Sequence, residues 1–260
     1  MAESFTGTGR PLSQDGVEQA LAALDVEPAS LWALVTVETR GFGFLPDRRL
    51  KLLFERHIFH ARTQGRFAAT APDLSAPSTG GYAGGAAEYE RLARAIELDR
   101  IAALESASWG LPQIMGFNAK TVGYGDAGEM IERFLEGEDQ QLDGAVRFLT
   151  RNAALWNAFR QKDWDVVARH YNGPSYAEHG YHQKLARYHA FYTTNGVPDL
   201  KLRTAQACLS YLGFDPKGVD GIMGNGTRTA LRAFQTSRGL PPTAMLDTNT
   251  VHRLLGAANV

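Results

Sequence analysis

Apolar residues recur at the three- and four-residue spacing of an α-helix along almost the whole chain, and long alternations of apolar and polar residues are absent. This pattern predicts a mostly α fold. The predicted helices of the larger, N-terminal part span residues 14–24, 28–39, 50–63, 86–106, 128–135, 139–150, 153–160, 163–171 and 179–192. Those of the C-terminal part span residues 200–213, 226–239 and 247–255.

A cluster of turn-forming residues separates the two parts at Thr193–Asp199, where Pro198 biases its predecessor away from helix. The charges also divide there. Seven Lys and Arg against four Asp follow Gly196, a balance of +3, whereas the preceding residues carry 20 against 24, a balance of −4. We therefore predict two domains, residues 1–195 and 196–260.

The composition excludes several classes of protein. A 260-residue chain with 44% hydrophobic residues and a net charge of −1 is globular and carries no overall basic field, so we expect no nucleic-acid or membrane partner and a monomer. One cysteine, Cys208, excludes a disulfide framework, and the N-terminal residues lack a signal-peptide pattern. Histidines without spaced carboxylate partners predict no metal site, and nothing suggests a cofactor.

One acidic residue lies on the apolar face of a predicted helix. Glu38 follows Leu34 and Val35 by four and three residues, which places its carboxyl on their stripe. A carboxyl facing the core is either paired or has a raised pKa, and a raised pKa suits a general acid near neutral pH. The alternative is a structural ion pair with Arg40 or Arg56 at the helix end.

Three ordered segments resemble the lysozyme superfamily, and most closely the N-acetylmuramidase domain of modular phage endolysins. They are Val37-Glu38-Thr-Arg-Gly-Phe-Gly43, then Glu105-Ser-Ala-Ser-Trp-Gly-Leu-Pro-Gln-Ile114, then His170-Tyr-Asn-Gly173. The segment Leu52-Leu-Phe-Glu-Arg-His57 and the loop Gly80-Gly-Tyr-Ala-Gly-Gly85 also match, so the resemblance spans Leu12–Tyr192. It implies a lysozyme-like helical catalytic domain.

The resemblance implies cleavage of the β-1,4 bond between N-acetylmuramic acid and N-acetylglucosamine in peptidoglycan, with Glu38 as the general acid. The residues implied to hold the substrate are Ser108, Gln113, Tyr171 and Asn172. Glu55 and Glu105 are candidates for a second carboxylate, although a structural salt bridge or a helix-end contact is an equal alternative for each. A lytic transglycosylase needs only one acid and forms 1,6-anhydro ends, so this outcome stays open.

Residues Lys201–Leu255 resemble the small three-helix peptidoglycan-binding domain of cell-wall hydrolases. The match includes Gln206 and the turn Val219-Asp-Gly-Ile-Met-Gly224, in which glycines permit positive φ and Asp220 can cap local amides. Candidate wall-binding residues are Asp220, Gly221, Gly224 and Thr227. Such a domain would tether the enzyme to its substrate, peptidoglycan. We expect an endolysin that is stored in the host cytoplasm and released to the wall at lysis; the rival hypothesis is a non-catalytic wall-binding protein.

Overall fold

The computed structural model describes residues 4–178 and 180–260 and confirms the mostly α fold. The helices before residue 196 are α1 Gln14–Leu24, α2 Pro28–Thr39, α3 Arg56–Arg62, α4 Glu88–Leu98, α5 Arg100–Glu105, α6 Ala127–Leu135, α7 Glu138–Thr150, α8 Ala153–Gln161, α9 Trp164–Asn172 and α10 Tyr181–Asn195. A C-terminal unit follows with α11 Leu200–Tyr211, α12 Asn225–Ser237 and α13 Thr248–Ala258. Short 3-10 turns occur at Gly85–Ala87, Gly116–Asn118 and Pro174–Ala177.

The helix predicted over residues 50–63 is wrong in its first half. Residues Leu52–Phe54 form strand β1, which pairs antiparallel with β2, Ala107–Trp109, and β2 pairs with β3, Ile114–Met115. A short apolar run fits either periodicity, and here pairing with β2 decides for a strand. Leu52 and Phe54 point into the core, and Leu53, which is half-buried, lies on the opposite face of the strand.

The long helix predicted over residues 86–106 is broken at Asp99. Asp99 has an extended backbone, with φ −161°, and its carboxylate accepts a hydrogen bond of 3.0 Å from the amide of Ala102. It therefore ends α4 and caps α5, which begins one residue later. The break turns the chain so that α5 leads directly into β2.

Helix α2 lies at the centre of the N-terminal region. Eight of its 12 residues are buried, and it packs most extensively against α10. Pro28 occupies its first turn, as expected, because the missing N–H costs no hydrogen bond there. Arg40 ends the helix in the left-handed conformation, with its N–H bonded to the carbonyl of Thr36. The C-terminal residues of α2 are thus held inside the domain.

The C-terminal unit contains two turns that are fixed in the same way. The side-chain nitrogen of Gln206, Nε2, donates to Asp220 Oδ1, the carbonyl of Ile222 and Thr227 Oγ1 at 3.0–3.1 Å. In the same way, the side-chain nitrogen of Gln235, Nε2, donates to Thr243 Oγ1, the carbonyl of Met245 and Thr250 Oγ1 at 3.1–3.2 Å. Each glutamine is almost fully buried, so each turn is organised by one interior amide.

The two regions share a core. Ala207 and Val219 of the C-terminal unit belong to the same buried cluster as Phe42 and Phe44. The Tyr211 hydroxyl donates to the carbonyl of Gly9 at 2.7 Å. The C-terminal unit is therefore docked on the N-terminal region. Among the described residues, no individual helix has the length and hydropathy of a membrane span; α1 and α2 reach them together only across a 108° bend.

Candidate active site

Glu38 lies in the last turn of α2 and is partly buried beside a narrow apolar cavity. The cavity wall comprises Leu31, Leu34, Val35, Leu111, Pro112, Leu142 and Ala145. Burial raises the pKa of Glu38 to about 7, and a hydrogen bond from Tyr181 opposes part of that rise. Arg56 donates to Ser78 and Thr79, and within the described part of the chain Glu38 forms no ion pair with Arg40 or Arg56. Glu38 can hold a proton at neutral pH.

Two tyrosines lie next to Glu38. Tyr181, the first residue of α10, is buried and donates its hydroxyl hydrogen to Glu38 Oε1. Its ring stacks on Tyr171 with centroids 6.5 Å apart, and the Tyr171 hydroxyl donates to the carbonyl of Pro112 at 2.8 Å. Burial raises the pKa of both hydroxyls well above 10, so both stay protonated and act as donors.

Tyr181 is a site residue that sequence reasoning missed. The motif that ends at Gly173 placed Tyr171 beside Glu38, but Tyr181 belongs to the next helix, and nothing in its spacing indicated this contact. Asn172 ends α9, and its side chain lies outside the described residues. The predicted role of Asn172 in holding substrate stays a prediction.

The side chains of Gln113 and Ser108, which were predicted to hold substrate, are bonded to each other and stabilise a turn. The Ser108 hydroxyl donates to Gln113 Oε1 at 2.9 Å, and Gln113 Nε2 donates to the carbonyl of Gly110 at 2.8 Å. Gln113 adopts a positive φ of 49°, which these bonds stabilise. The turn they fix carries Leu111 and Pro112 to the cavity beside Glu38.

The two candidate second carboxylates have different partners. Glu55 follows β1 and accepts hydrogen bonds from the Tyr82 hydroxyl at 3.1 and 2.9 Å, with His57 Nδ1 at 3.2 Å from Oε2. Glu105 ends α5 and is ion-paired with Arg62. Glu105 therefore has a structural ion pair with an arginine. Glu55 lies at the N-cap of α3, but its side chain makes no capping hydrogen bond there, and it contacts Tyr82 and His57.

Glu55 also continues the alternation of side chains along β1. Its backbone is extended and its amide donates to the carbonyl of Ser106 at 2.9 Å, so strand alternation places Glu55 on the face of Leu53 and Lys51. Lys51 Nζ on this face donates to the carbonyl of Thr39, next to Glu38, at 2.9 Å. Desolvation lowers the pKa of Lys51 to about 8.

The candidate wall-binding residues are mostly internal to the C-terminal unit. Asp220 Oδ1 accepts from the amide of Ile222 at 2.9 Å, and Gly221 has φ 70°, which confirms the expected cap and positive φ. Gly224 instead has φ −101° and precedes α12. Thr227 is only 2% exposed and bonds Gln206, so it helps to hold the turn, and its predicted role in wall binding stays a prediction. Sequence reasoning matched Gln206 without assigning it this organising role.

Comparison with known proteins decides the family. The sequence model of the N-acetylmuramidase family matches residues 27–193, which include α2, the sheet and α10. The chain belongs to the N-acetylmuramidase family. It is therefore a glycoside hydrolase, as the sequence motifs predict. A second family, described as a peptidoglycan-binding domain, matches residues 199–254, so the muramidase has peptidoglycan as its partner.

The muramidase is also similar to a solved structure, the Burkholderia AP3 phage endolysin. The two are 40% identical with a TM-score of 0.64, over 71% of this chain and 72% of that chain. No curated protein matches the chain. Within residues 4–178 and 180–260, no group of three or more His, Cys, Asp or Glu residues is arranged to hold a metal ion.

Proposed function

We propose that this muramidase cleaves the β-1,4 bond between N-acetylmuramic acid and N-acetylglucosamine, with Glu38 as the general acid. The observation that carries the proposal is the carboxyl of Glu38 itself. It lies against an apolar cavity, burial raises its pKa to about 7, and a buried tyrosine bonds it. A carboxyl that stays protonated near neutral pH is the group that glycoside hydrolysis requires at the leaving oxygen.

In this mechanism Glu38 donates its proton to the glycosidic oxygen as the bond to the muramic-acid carbon breaks. Positive charge develops on the sugar ring, and Glu38 becomes a carboxylate. The hydrogen bond from Tyr181 strengthens at that moment, because a charged acceptor binds a hydroxyl more tightly than a neutral one does. Tyr181 therefore assists proton transfer by stabilising the product form of the acid. Proton transfer of this kind contributes roughly 10²–10⁴-fold to the rate.

We further propose Glu55 as the second carboxylate. Strand alternation places Glu55 on the same face as Lys51, which bonds the carbonyl of Thr39 at the end of α2. This placement, and the absence of an arginine in its described hydrogen bonds, favour Glu55 over Glu105. Glu55 would activate the attacking water or stabilise the developing positive charge. The separation of the two carboxyls in the substrate complex would decide between retention and inversion.

We also propose that the enzyme lyses a bacterial host as a phage endolysin, released from the host cytoplasm to the wall. Two comparisons support this: the likeness to the Burkholderia AP3 phage endolysin and the peptidoglycan-binding domain. The Asp220 turn and the exposed side chain of Ile222, 44% accessible, offer a surface for wall contact.

The experiment that tests the catalytic proposal is Glu38→Gln in the full chain. Gln keeps the shape of Glu38 but has no proton to give, so turbidity loss of purified peptidoglycan should stop while sedimentation with the wall persists. Glu18→Gln, an exposed substitution on α1, is the matched control and should retain wild-type activity. Wild-type lysis by the Glu38 variant would contradict the proposal.

A further inference from the structure

The segment that leaves the catalytic helix is held at every second residue. Lys51 Nζ donates to the carbonyl of Thr39 at 2.9 Å. Arg203 Nε donates to the carbonyl of Gly41 at 2.9 Å, and a second guanidinium nitrogen donates to the same oxygen. The amide of Gly43 donates to Glu138 Oε1 at 2.8 Å. The path from Glu38 to the sheet is thus fixed by three charged side chains.

One of these side chains comes from the peptidoglycan-binding domain. Arg203 lies on α11, is fully buried and forms two bonds to the equally buried Glu138, at 2.6 and 2.8 Å. The guanidinium carbon also lies 5.2 Å from the ring centroid of Phe42. A buried charge is tolerated when it is paired and its hydrogen-bonding groups are satisfied, and Arg203 meets both conditions only against the catalytic domain.

The two backbones are closely packed at this contact. Gly41 has φ 89°, and a β-carbon there would lie 3.3 Å from the carbonyl oxygen of Val219 in the peptidoglycan-binding domain. Glu138 in addition accepts the amide of Leu12 at 2.9 Å. Without Arg203, the Glu138 carboxylate would be left buried without its cation, and the Gly41 carbonyl would lose both of these donors.

We propose that Arg203 is a positioning residue of the active site, and that the peptidoglycan-binding domain completes the catalytic domain as well as tethering it. Arg203 acts through Gly41, three residues after Glu38, by fixing the end of α2 against the sheet. The proposal rests on the assignment of Glu38 as the acid. It predicts that the domain affects catalysis on a glycan too short to benefit from wall tethering.

The test uses full-length Arg203→Met, Arg203→Lys and the double variant Arg203→Met with Glu138→Gln, assayed on a soluble tetrasaccharide of alternating N-acetylglucosamine and N-acetylmuramic acid. Arg228→Met, at an exposed arginine of α12, is the matched control. For each variant, kcat, KM and the pH profile are measured at a temperature where circular dichroism shows a folded protein. Sedimentation with insoluble peptidoglycan checks the binding domain.

We expect Arg203→Met to lower kcat about tenfold or more, because small misplacements of a catalytic group are costly. We expect a shift in the pH at which activity falls as Glu38 loses its proton. Sedimentation with peptidoglycan should stay unchanged. Arg203→Lys should keep part of the activity. The double variant removes the unpaired buried charge, so it should regain thermal stability but not kcat. If Arg203→Met does not fold, the double variant and Arg203→Lys decide.

Folded variants with wild-type kcat and pH profile would overturn the proposal, even if their thermal stability fell, because Arg203 would then only hold the fold. The Glu38 assignment is tested separately. Activity in Glu38→Gln would refute the proposed acid whatever Arg203 does. A loss in Glu38→Gln with no effect of Arg203 would refute the positioning role alone.

Discussion

At the scale of single residues, the environment of Glu38 balances two demands. Removal from water favours the neutral acid and raises the pKa of Glu38 to about 7, whereas the hydroxyl of Tyr181 favours the charged form. A general acid must hold its proton before reaction and release it during reaction. The pair meets both needs, since burial supplies the first and Tyr181 supports the second.

The pH dependence of activity follows from this pair. Because only protonated Glu38 acts as the acid, kcat/KM on a soluble glycan should fall as the pH rises through about 7. Tyr181→Phe removes the bond that lowers the pKa of Glu38, so the descending limb should move to higher pH while the maximal rate drops. Rate profiles between pH 5 and 9 measure both. A limb that stays in place in the variant would contradict the role of Tyr181.

The same shift makes Glu38 a cost to stability. The pKa of Glu38 in the folded protein, about 7, exceeds the ordinary value of 4.5, so folding favours the protonated form. Stability therefore declines as the pH rises from 4.5 to about 7. At pH 8, Glu38→Gln should raise the free energy of unfolding by at most roughly 2–4 kcal/mol, because the partial exposure of Glu38 to water reduces the effect. Near pH 4.5 the same substitution should change the free energy of unfolding little.

Urea unfolding at both pH values, with Glu18→Gln as the control, measures the difference. An equal effect of Glu38→Gln at the two pH values would show that its carboxyl is not destabilised by burial.

Substitutions of the two candidate second carboxylates, Glu55 and Glu105, should differ clearly in their effect on activity. Glu55→Gln should reduce activity by about 10²-fold or more, as loss of a second glycosidase carboxylate does, without a large change in thermal stability. Glu105→Gln should keep near-wild-type activity and cost at most about 1 kcal/mol, because it only breaks a partly exposed ion pair with Arg62. Lysis rates and melting temperatures of both variants test this. The opposite ranking of activities would make Glu105 the second carboxylate.

At the scale of elements, the helix ends that depend only on neighbouring residues could be predicted from the sequence. The bounds of α1 and α2 agree with the predicted residues 14–24 and 28–39, because Ser13 caps α1 and Pro28 begins α2. The sheet was not predicted, since strands of two or three residues are too short for an alternation, and β1 pairs with a strand about 55 residues further along the chain. The contact between Tyr181 and Glu38 was missed for the same reason: it joins different helices.

The buried turn of the C-terminal unit carries an element-scale prediction. Thr227→Val removes the hydroxyl that accepts a hydrogen bond from the side chain of Gln206, and it should lower the stability of the unit by about 1 kcal/mol. At temperatures where the variant is folded, its sedimentation with peptidoglycan should equal that of the wild type, because the side chain is enclosed. Loss of wall binding in a folded Thr227→Val protein would contradict this expectation and support a direct role of Thr227 in wall binding.

At the scale of the whole molecule, a near-neutral chain divides into a balance of −4 before residue 197 and +3 after it. The seam at Gly196 stays a prediction of the sequence, but the family matches end at residue 193 and resume at residue 199, on either side of it. The sequence did not indicate how the parts dock. In the sequence, Arg203 looks like an ordinary surface cation, and its contact with Glu138 becomes visible only in the folded structure.

The most direct test of the central claim is mass spectrometry of the fragments released from purified peptidoglycan in ¹⁸O-labelled water. Hydrolysis of the proposed bond predicts reducing N-acetylmuramic acid ends that carry the solvent oxygen, and no such fragments from Glu38→Gln. Fragments lighter by one water, with 1,6-anhydro ends and no label, would identify a lytic transglycosylase. Reducing N-acetylglucosamine ends would show that the other glycosidic bond is cut; either result contradicts the account.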